Sequence, residues 1–315
     1  MISIVASTKR TSQLHRRPSL SVRHLWGVVL AGGDDRPRSH YIASSRPRHI
    51  TAAPLHRPPT IGGSTVAQFR RTLERATRLI PEERLVAVLV RSDAARYENA
   101  LSIAPRARRV VQPCYRGTGP EMFLPLMKIA GEDPHATVVI LPQDHLIDHE
   151  ARFMSYVATA ARAVDERPDV PIVLGAHPRS LDPGYAWIEP GPPVEGLESY
   201  PIRSVHRFVR RPSAAEMATL FEGNGLLSTL VIVGKVTTLL EVGRACVPDV
   251  LETLEPLEDA FDGPEERLMT EAVYECMPEA HIARDVLERG DRFAVLPIPD
   301  VMWKESNAPA LALAC

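Results

Sequence analysis

Trp26-Gly27-Val28-Val29-Leu30-Ala31-Gly32-Gly33 is a short apolar run stopped by two glycines. Such a run reads as a buried strand, and the glycine pair as a tight turn at its end. Similar runs recur at residues 85–90, 110–111, 137–141 and 172–175. Helical patterns lie between them. Val66, Phe69, Leu73, Ala76 and Ile80 recur at helical spacing, with Ser64 or Thr65 as cap. Residues 94–101, 119–130 and 153–164 follow as helices, and Pro120 suits a first helical turn. Alternation of this kind predicts an α/β fold: a Rossmann-like, mixed, mostly parallel sheet with helices on both faces. Further along, residues 185–188, 202–209, 230–233 and 293–298 read as strands and 214–221 as a helix. Residues 247–291 hold 14 acids against three arginines and read as helices with solvated faces.

The chain has 315 residues, 44% hydrophobic, 24% charged and 5% aromatic, with net charge −2. This is the composition of a folded globular protein, not of a disordered, collagen-like or membrane chain. Neither a nucleic-acid partner nor a membrane is expected, since no apolar run approaches the roughly 20 residues of a span. Cys114, Cys246, Cys276 and Cys315 are scattered, so reduced thiols and a cytoplasmic location are expected. Residues 1–24 hold five Lys or Arg and no acid, and read as a disordered basic tail rather than a twin-arginine signal. Of 37 basic residues only Lys9, Lys128, Lys235 and Lys304 are lysines, so 33 are arginines. Codon bias explains such a skew. The sharper question is whether an arginine stands where phosphate chemistry favours a lysine.

Three motifs carry chemistry. Residues 36–57 follow the glycine pair with Arg36, Arg38, Arg46, Arg48 and Arg57 and no acid. Two glycines let backbone N–H groups approach an anion, and clustered arginines neutralise it. A polyphosphate cradle and a solvated basic loop are both consistent with this segment. Next comes Gln112-Pro-x-x-Arg116-Gly117-Thr118-Gly119-Pro120, a strand end leading through glycines into a helix N-terminus. Helix N-termini favour anions, and the Gln112 amide suits the edge of a base. The third is Pro142-Gln143-Asp144-His145 at the end of a buried strand. Ligands of open α/β sheets collect outside such ends. Asp144 there reads either as a Mg²⁺ ligand or as a turn cap, and His145 as a packed histidine.

Together these motifs resemble the sugar-phosphate nucleotidyltransferases, especially the mannose-1-phosphate guanylyltransferase branch. The opening Leu-Ala-Gly-Gly is Leu30–Gly33, the Gln-Pro-x-x-Arg-Gly-Thr-Ala-Pro motif is matched by residues 112–120, Pro-x-Asp-His by 142–145, and Gly-Tyr-Gly-Tyr-Ile-Glu by 184–189. The resemblance runs from about residue 25 to 307, implying one nucleotidyltransferase-like domain over 25–307 with a C-terminal tail at 308–315 and no appended isomerase domain. It implies transfer of a nucleoside monophosphate, GMP from GTP, to a sugar 1-phosphate such as mannose 1-phosphate, with Mg²⁺ as cofactor. A homodimer is compatible with it. By the same resemblance Arg36, Arg38, Arg48 and Asp144 are catalytic. Leu30, Ala31, Gly32, Gly33, Gln112, Arg116, Gly117 and Thr118 hold the nucleotide. Gly184, Tyr185, Glu189, Arg211 and Ser228 hold the sugar phosphate, and Asp144 with Glu305 holds the metal.

The sequence also departs from that pattern. The opening loop reads Leu30-Ala-Gly-Gly-Asp-Asp-Arg-Pro-Arg38, so the later Gly and the Thr of the resembled signature are gone and an aspartate stands where the backbone would approach a phosphate. The Pro-Lys pair becomes Pro47-Arg48, Phe-x-Glu-Lys-Pro becomes Phe208-Val-Arg210-Arg211-Pro212, and Trp-Asn-Ser becomes Leu227-Ser228-Thr229. The late Trp-Ser-Asp becomes Trp303-Lys304-Glu305, where Lys304 is expected to compete for the Glu305 carboxylate. Arg48 and Arg211 stand at the two lysine positions, and lost turnover with retained binding is the alternative to normal activity.

Overall fold

Leu25–Leu30 forms β1, buried along its whole length. The structure, a computed structural model, describes residues 24–31, 65–182 and 184–305. Gly32, Gly33, Arg36, Arg38 and Arg48 lie outside the described residues, as do residues 1–23 of the basic tail and the tail at 308–315. β1 runs parallel to β2 (Leu85–Val90) and to β4 (Thr137–Pro142), and β2 runs parallel to β3 (Arg108–Gln112). Strands with parallel neighbours and covered faces have no polar face to show, which is why β1 and β2 read as continuous apolar runs.

The sheet changes sense beyond β4. β9 (Leu226–Lys235) lies antiparallel between β4 and β6 (Ile172–Ala176), and β10 (Ala294–Ile298) is parallel to β6. β8 (Arg203–Val209) is antiparallel to β10 and to β7 (Trp187–Pro193), and β7 returns to pair with the start of β9. The order is β3-β2-β1-β4-β9-β6-β10-β8-β7. Seven strands run one way and only β8 and β9 oppose them, but the pairings divide into four parallel and five antiparallel. The sheet is therefore mixed, as the sequence predicts, and its longest all-parallel part is β3-β2-β1-β4. β5 (His145–Ile147) and β11 (Trp303–Glu305) form a separate antiparallel pair.

Eight α-helices occur among the described residues. Alternation along β1 splits the core between the two sheet faces. Leu25 and Val29 face Phe69 and Leu73 of α1 (Thr65–Ala76), Leu101 of α2 (Ala94–Leu101) and Phe153 of α4 (Glu150–Glu166). Trp26 and Val28 join the other cluster, with Phe123 of α3 (Thr118–Glu132) and Leu239 of α6 (Val236–Cys246). α5 (Ala214–Glu222) opens on a capping box between Ser213 and Glu216. α7 (Pro248–Leu254) and α8 (Glu266–Cys276) occupy the acid-rich stretch, followed by a π-helical turn at Ile282–Leu287. Their solvated faces are as expected, yet Val250, Tyr274 and Val286 are buried in the second core. No helix among the described residues is long and apolar enough to cross a membrane.

Candidate active site

The carboxyl ends of β1 and β4 are tied together. The Gln143 N–H donates to the Leu30 carbonyl at 3.2 Å, and the Ala31 N–H to Val88 O at 3.0 Å. The Thr72 hydroxyl on α1 donates to the Gln143 carbonyl at 3.2 Å and accepts from the Arg75 guanidinium at 2.8 Å. The Gln143 amide donates to the Tyr97 hydroxyl of α2 at 3.3 Å. The turn that carries Asp144 is therefore gripped from two helices. Burial lowers the Arg75 pKa to about 10, against the opposing pull of Glu150.

The β5–β11 pair completes this end of the sheet. Glu305 sits across the ladder from His145, one residue from Asp144. Both Glu305 and His145 are buried. Lys304 does not compete for the Glu305 carboxylate. Successive strand residues point to opposite faces, and Lys304 is exposed while Trp303 and Glu305 are buried. The Trp303 ring packs against His145 with centroids 5.2 Å apart and against Tyr185 at 5.3 Å. One aromatic ladder thus joins the Asp144 turn, the Glu305 strand and the 184–189 segment.

The turn at the end of β3 is built differently from expectation. Gln112 is fully buried, and its Oε1 accepts from the Tyr274 hydroxyl at 2.9 Å. Burial, with Glu121 adding to it, raises the Tyr274 pKa well above its ordinary value, so the phenol keeps its proton. Arg116 donates to the Tyr274 carbonyl at 3.3 Å. Gly117 adopts φ +91°, and a Cβ there would lie 2.1 Å from Ala280 O. The Gly119 N–H donates to Ala280 O at 2.8 Å, the Ala280 N–H to Arg116 O at 3.1 Å, and the Ile282 N–H to the Thr118 hydroxyl at 2.9 Å. The Gly119 N–H is thus committed to Ala280, and the Thr118 hydroxyl accepts from Ile282. Gly119 in place of the resembled alanine also has a steric reason: a Cβ there would meet Ala280 Cβ at 2.9 Å and Ala280 O at 3.0 Å.

On the sugar-phosphate side, Glu189 is half exposed and accepts from Arg207 at 2.6 Å. Ser228 is buried, and its hydroxyl accepts from the Leu230 N–H at 3.4 Å within β9, where Leu230 takes φ +56°. The Gly184 N–H donates to Asp182 at 2.8 Å. Arg211 is exposed with φ +54°, two residues after the end of β8. Arg210, at the position of the resembled glutamate, donates to Glu288 at 3.0 Å, which neutralises it. The described residues bring Leu30, Ala31, Asp144, Tyr185 and Glu305 into one linked region. Tyr274 and Ala280, which shape the Gln112–Gly119 turn, gave no sequence signal. Both lie far along the chain from it, Tyr274 by 162 positions.

No family model matches the chain. The alginate biosynthesis protein AlgA of Pseudomonas fluorescens is 24% identical over 236 residues, 73% of this chain and 47% of that protein. An Escherichia coli protein named mannose-1-phosphate guanylyltransferase is 26% identical over 156 residues, 49% of this chain and 32% of that protein. The matched segment therefore spans less than half the length of these relatives. A crystal structure described as a mannose-1-phosphate geranyltransferase from Thermus thermophilus superposes with TM-score 0.69 at 22% identity, over 90% of this chain and 76% of that one.

The chain is related to the sugar-phosphate nucleotidyltransferases. Its fold is shared with the Thermus thermophilus structure over 90% of this chain. Within a nucleotidyltransferase frame, the Asp144 turn and the Gln112 turn both stand at carboxyl ends of parallel strands, where ligands of open α/β sheets bind.

Proposed function

We propose that the chain transfers GMP from GTP to mannose 1-phosphate, releasing pyrophosphate, and that it does so in the cytoplasm. The observation that carries this reading is the β5–β11 ladder, which sets Glu305 across from His145, the residue that follows Asp144. Among the described residues no group of three or more His, Cys, Asp or Glu could cage a metal. Two carboxylates suit Mg²⁺, a hard cation that completes its shell with phosphate oxygens and water. Asp144 and Glu305 would hold it, and it would supply charge neutralisation at the triphosphate.

The rest of the work is positioning, because a phosphate oxygen attacking the α-phosphorus needs no covalent enzyme intermediate. Gln112 Nε2 and Arg116 Nε are buried donors without a hydrogen-bond partner. They match the acceptor-rich edge of a nucleotide. Arg36, Arg38 and Arg48 would bind the triphosphate, and Tyr185, Glu189 and Arg211 the sugar phosphate. GTP and mannose 1-phosphate are the choices favoured by the name of the Escherichia coli relative. Protein with GTP, mannose 1-phosphate and Mg²⁺ is expected to release pyrophosphate, and Asp144→Asn to abolish release. Unchanged release in that variant would remove Asp144 from the metal site.

A second reading is a nucleotide or nucleotide-sugar binding protein without turnover. It is favoured by the Glu189–Arg207 ion pair and by the commitment of the Gly119 N–H to Ala280. Calorimetric titration with GTP and GDP-mannose separates the two. Binding without pyrophosphate release supports the second reading, and no binding removes both.

A further inference from the structure

Helix α1 buries two stripes, and only one of them is apolar. Phe69, Leu73 and Ala76 recur at i, i+4 and i+7 and pack in the first core cluster. Gln68, Thr72 and Arg75 repeat that spacing one position earlier and are buried as deeply. Arg75, at 1% exposure, is the one buried lysine or arginine among the described residues. Its guanidinium lies 5.5 Å from the centre of the Phe153 ring and donates to the Thr72 hydroxyl at 2.8 Å, while its Nε has no hydrogen-bond partner. The carboxylate whose charge reaches it, Glu150, lies 3.6 Å from Arg78 instead.

Burying a charge without a carboxylate partner destabilises a fold, and an apolar side chain in its place is commonly better tolerated. Packing therefore gives no reason for Arg75. Its hydrogen bond does. A hydroxyl has one proton to give. With the guanidinium donating to the Thr72 oxygen, that proton goes to the Gln143 carbonyl at 3.2 Å. Without the guanidinium, a threonine in a helix is free to turn its proton back to the carbonyl one turn earlier. A charged donor also strengthens the bond beyond it. Gln143 precedes Asp144, so this chain of bonds ends at the turn that carries the proposed metal ligand.

We propose that Arg75 is a positioning residue of the transferase site, which through Thr72 holds the Gln143 carbonyl and so fixes the Asp144 turn. The inference rests on the transferase reading above and adds to it a residue that touches no ligand. The fold gives up stability to keep this charge, and the site gains a rigid turn.

The test compares Arg75→Met, Arg75→Lys and Thr72→Val with wild type in the full chain. Arg75→Met removes the charge and the donor and keeps an unbranched side chain. Its melting midpoint is expected to match or exceed that of wild type. The Gln143 N–H, which donates to the Leu30 carbonyl, is followed by NMR hydrogen exchange without any ligand. It is expected to exchange about tenfold faster in Arg75→Met, while amides of β6 and β10 keep their rates. With GTP, mannose 1-phosphate and Mg²⁺, kcat is expected to fall about tenfold, with KM for mannose 1-phosphate changed less than about twofold. Arg75→Lys, which keeps the charge and a donor, should recover part of both losses. Thr72→Val should reproduce them, and Arg75→Met added to it should remove nothing more.

A purely structural role predicts another pattern: a lower midpoint, faster exchange across the whole sheet and no recovery with lysine. That pattern overturns the proposal and leaves the transferase reading intact. So does a Gln143 amide that exchanges at the wild-type rate, or an unchanged kcat despite faster exchange. A wild-type chain that neither binds GTP nor releases pyrophosphate overturns the transferase reading, and the exchange rates still decide whether Arg75 holds the turn. Thr72→Val, which keeps the guanidinium, decides the matter where Arg75→Met fails to fold.

Discussion

The Gly117–Gly119 turn and the Asp144–Glu305 pair are held in opposite ways. Backbone grips the turn: Ala280 donates to Arg116 and accepts from Gly119, while the Ile282 N–H binds the Thr118 hydroxyl. The fit leaves no room for a side chain at Gly117. The carboxylate pair is joined by two strands of three residues each, and Asp144 sits in the turn ahead of one of them. One region is defined by shape and the other by charge. Substitutions in the turn should therefore cost stability, and substitutions of the carboxylates should cost activity.

Gly117→Ala is the largest expected effect. The new Cβ would combine a left-handed backbone with a clash against a carbonyl that cannot swing aside. We expect a loss above about 4 kcal/mol, measured by denaturant unfolding. A soluble variant with a wild-type midpoint would show that the clamp on the turn is loose. Glu305→Gln comes next. It keeps the side chain's shape and removes the charge, so turnover should fall about 100-fold, or about 2.7 kcal/mol in the barrier. Its melting midpoint should move less than that of any turn variant. A variant that unfolds as readily as Gly117→Ala would mean that Glu305 is structural.

Gly119→Ala restores the residue of the resembled motif and is smaller in effect. Its Cβ would meet Ala280 Cβ at 2.9 Å and Ala280 O at 3.0 Å, a milder overlap than the 2.1 Å at Gly117 and without a positive φ, relieved only if the 280–282 segment moves. A cost of about 1–2 kcal/mol is expected from overpacking of this size. Ala280→Gly in the same chain should recover part of it, because it removes the atom that is struck. Strictly additive losses in the double variant would refute the contact.

Much of the fold was legible because β1, β2 and β4 are covered on both faces and leave long apolar runs. β11 was not legible. Trp-Lys-Glu is too short to show a period, and its strand character comes from pairing with residues about 160 positions earlier. That same pairing decides that Lys304 turns away from Glu305, so the expected competition followed from adjacency in sequence and failed against strand geometry. The site divides similarly. Asp144, Gln112 and Glu305 stood in recognisable motifs. The Tyr274 hydroxyl on Gln112 and the Ala280 backbone on Gly119 come from distant segments with no local signature. The Glu288 partner of Arg210 is equally distant, 78 positions further along the chain.

The smallest expected effect tests the far side of the clamp. Asp285 accepts from the His281 N–H at 2.8 Å and from two nitrogens of Arg284 at 2.8 and 2.7 Å. The hydrogen-bonded Arg284 guanidinium holds its carboxyl below the ordinary value of 3.8, outweighing the opposite pull of burial. A lowered folded pKa means that the unfolded chain takes up the proton more readily. The contribution to stability is therefore present above the ordinary carboxylate value and is lost as pH falls through the lowered one. Arg284 is 42% exposed, so water screens the pair and the contribution stays under about 1 kcal/mol. Asp285→Asn should lower the melting midpoint at pH 7, and the gap from wild type should close as the pH drops below about 4. The π-helical turn includes Ile282, whose N–H binds Thr118, so the loss is transmitted to the Gly117–Gly119 turn. A gap that stays constant with pH would place the value of Asp285 in its shape, and would extend to it the rule that governs the turn itself.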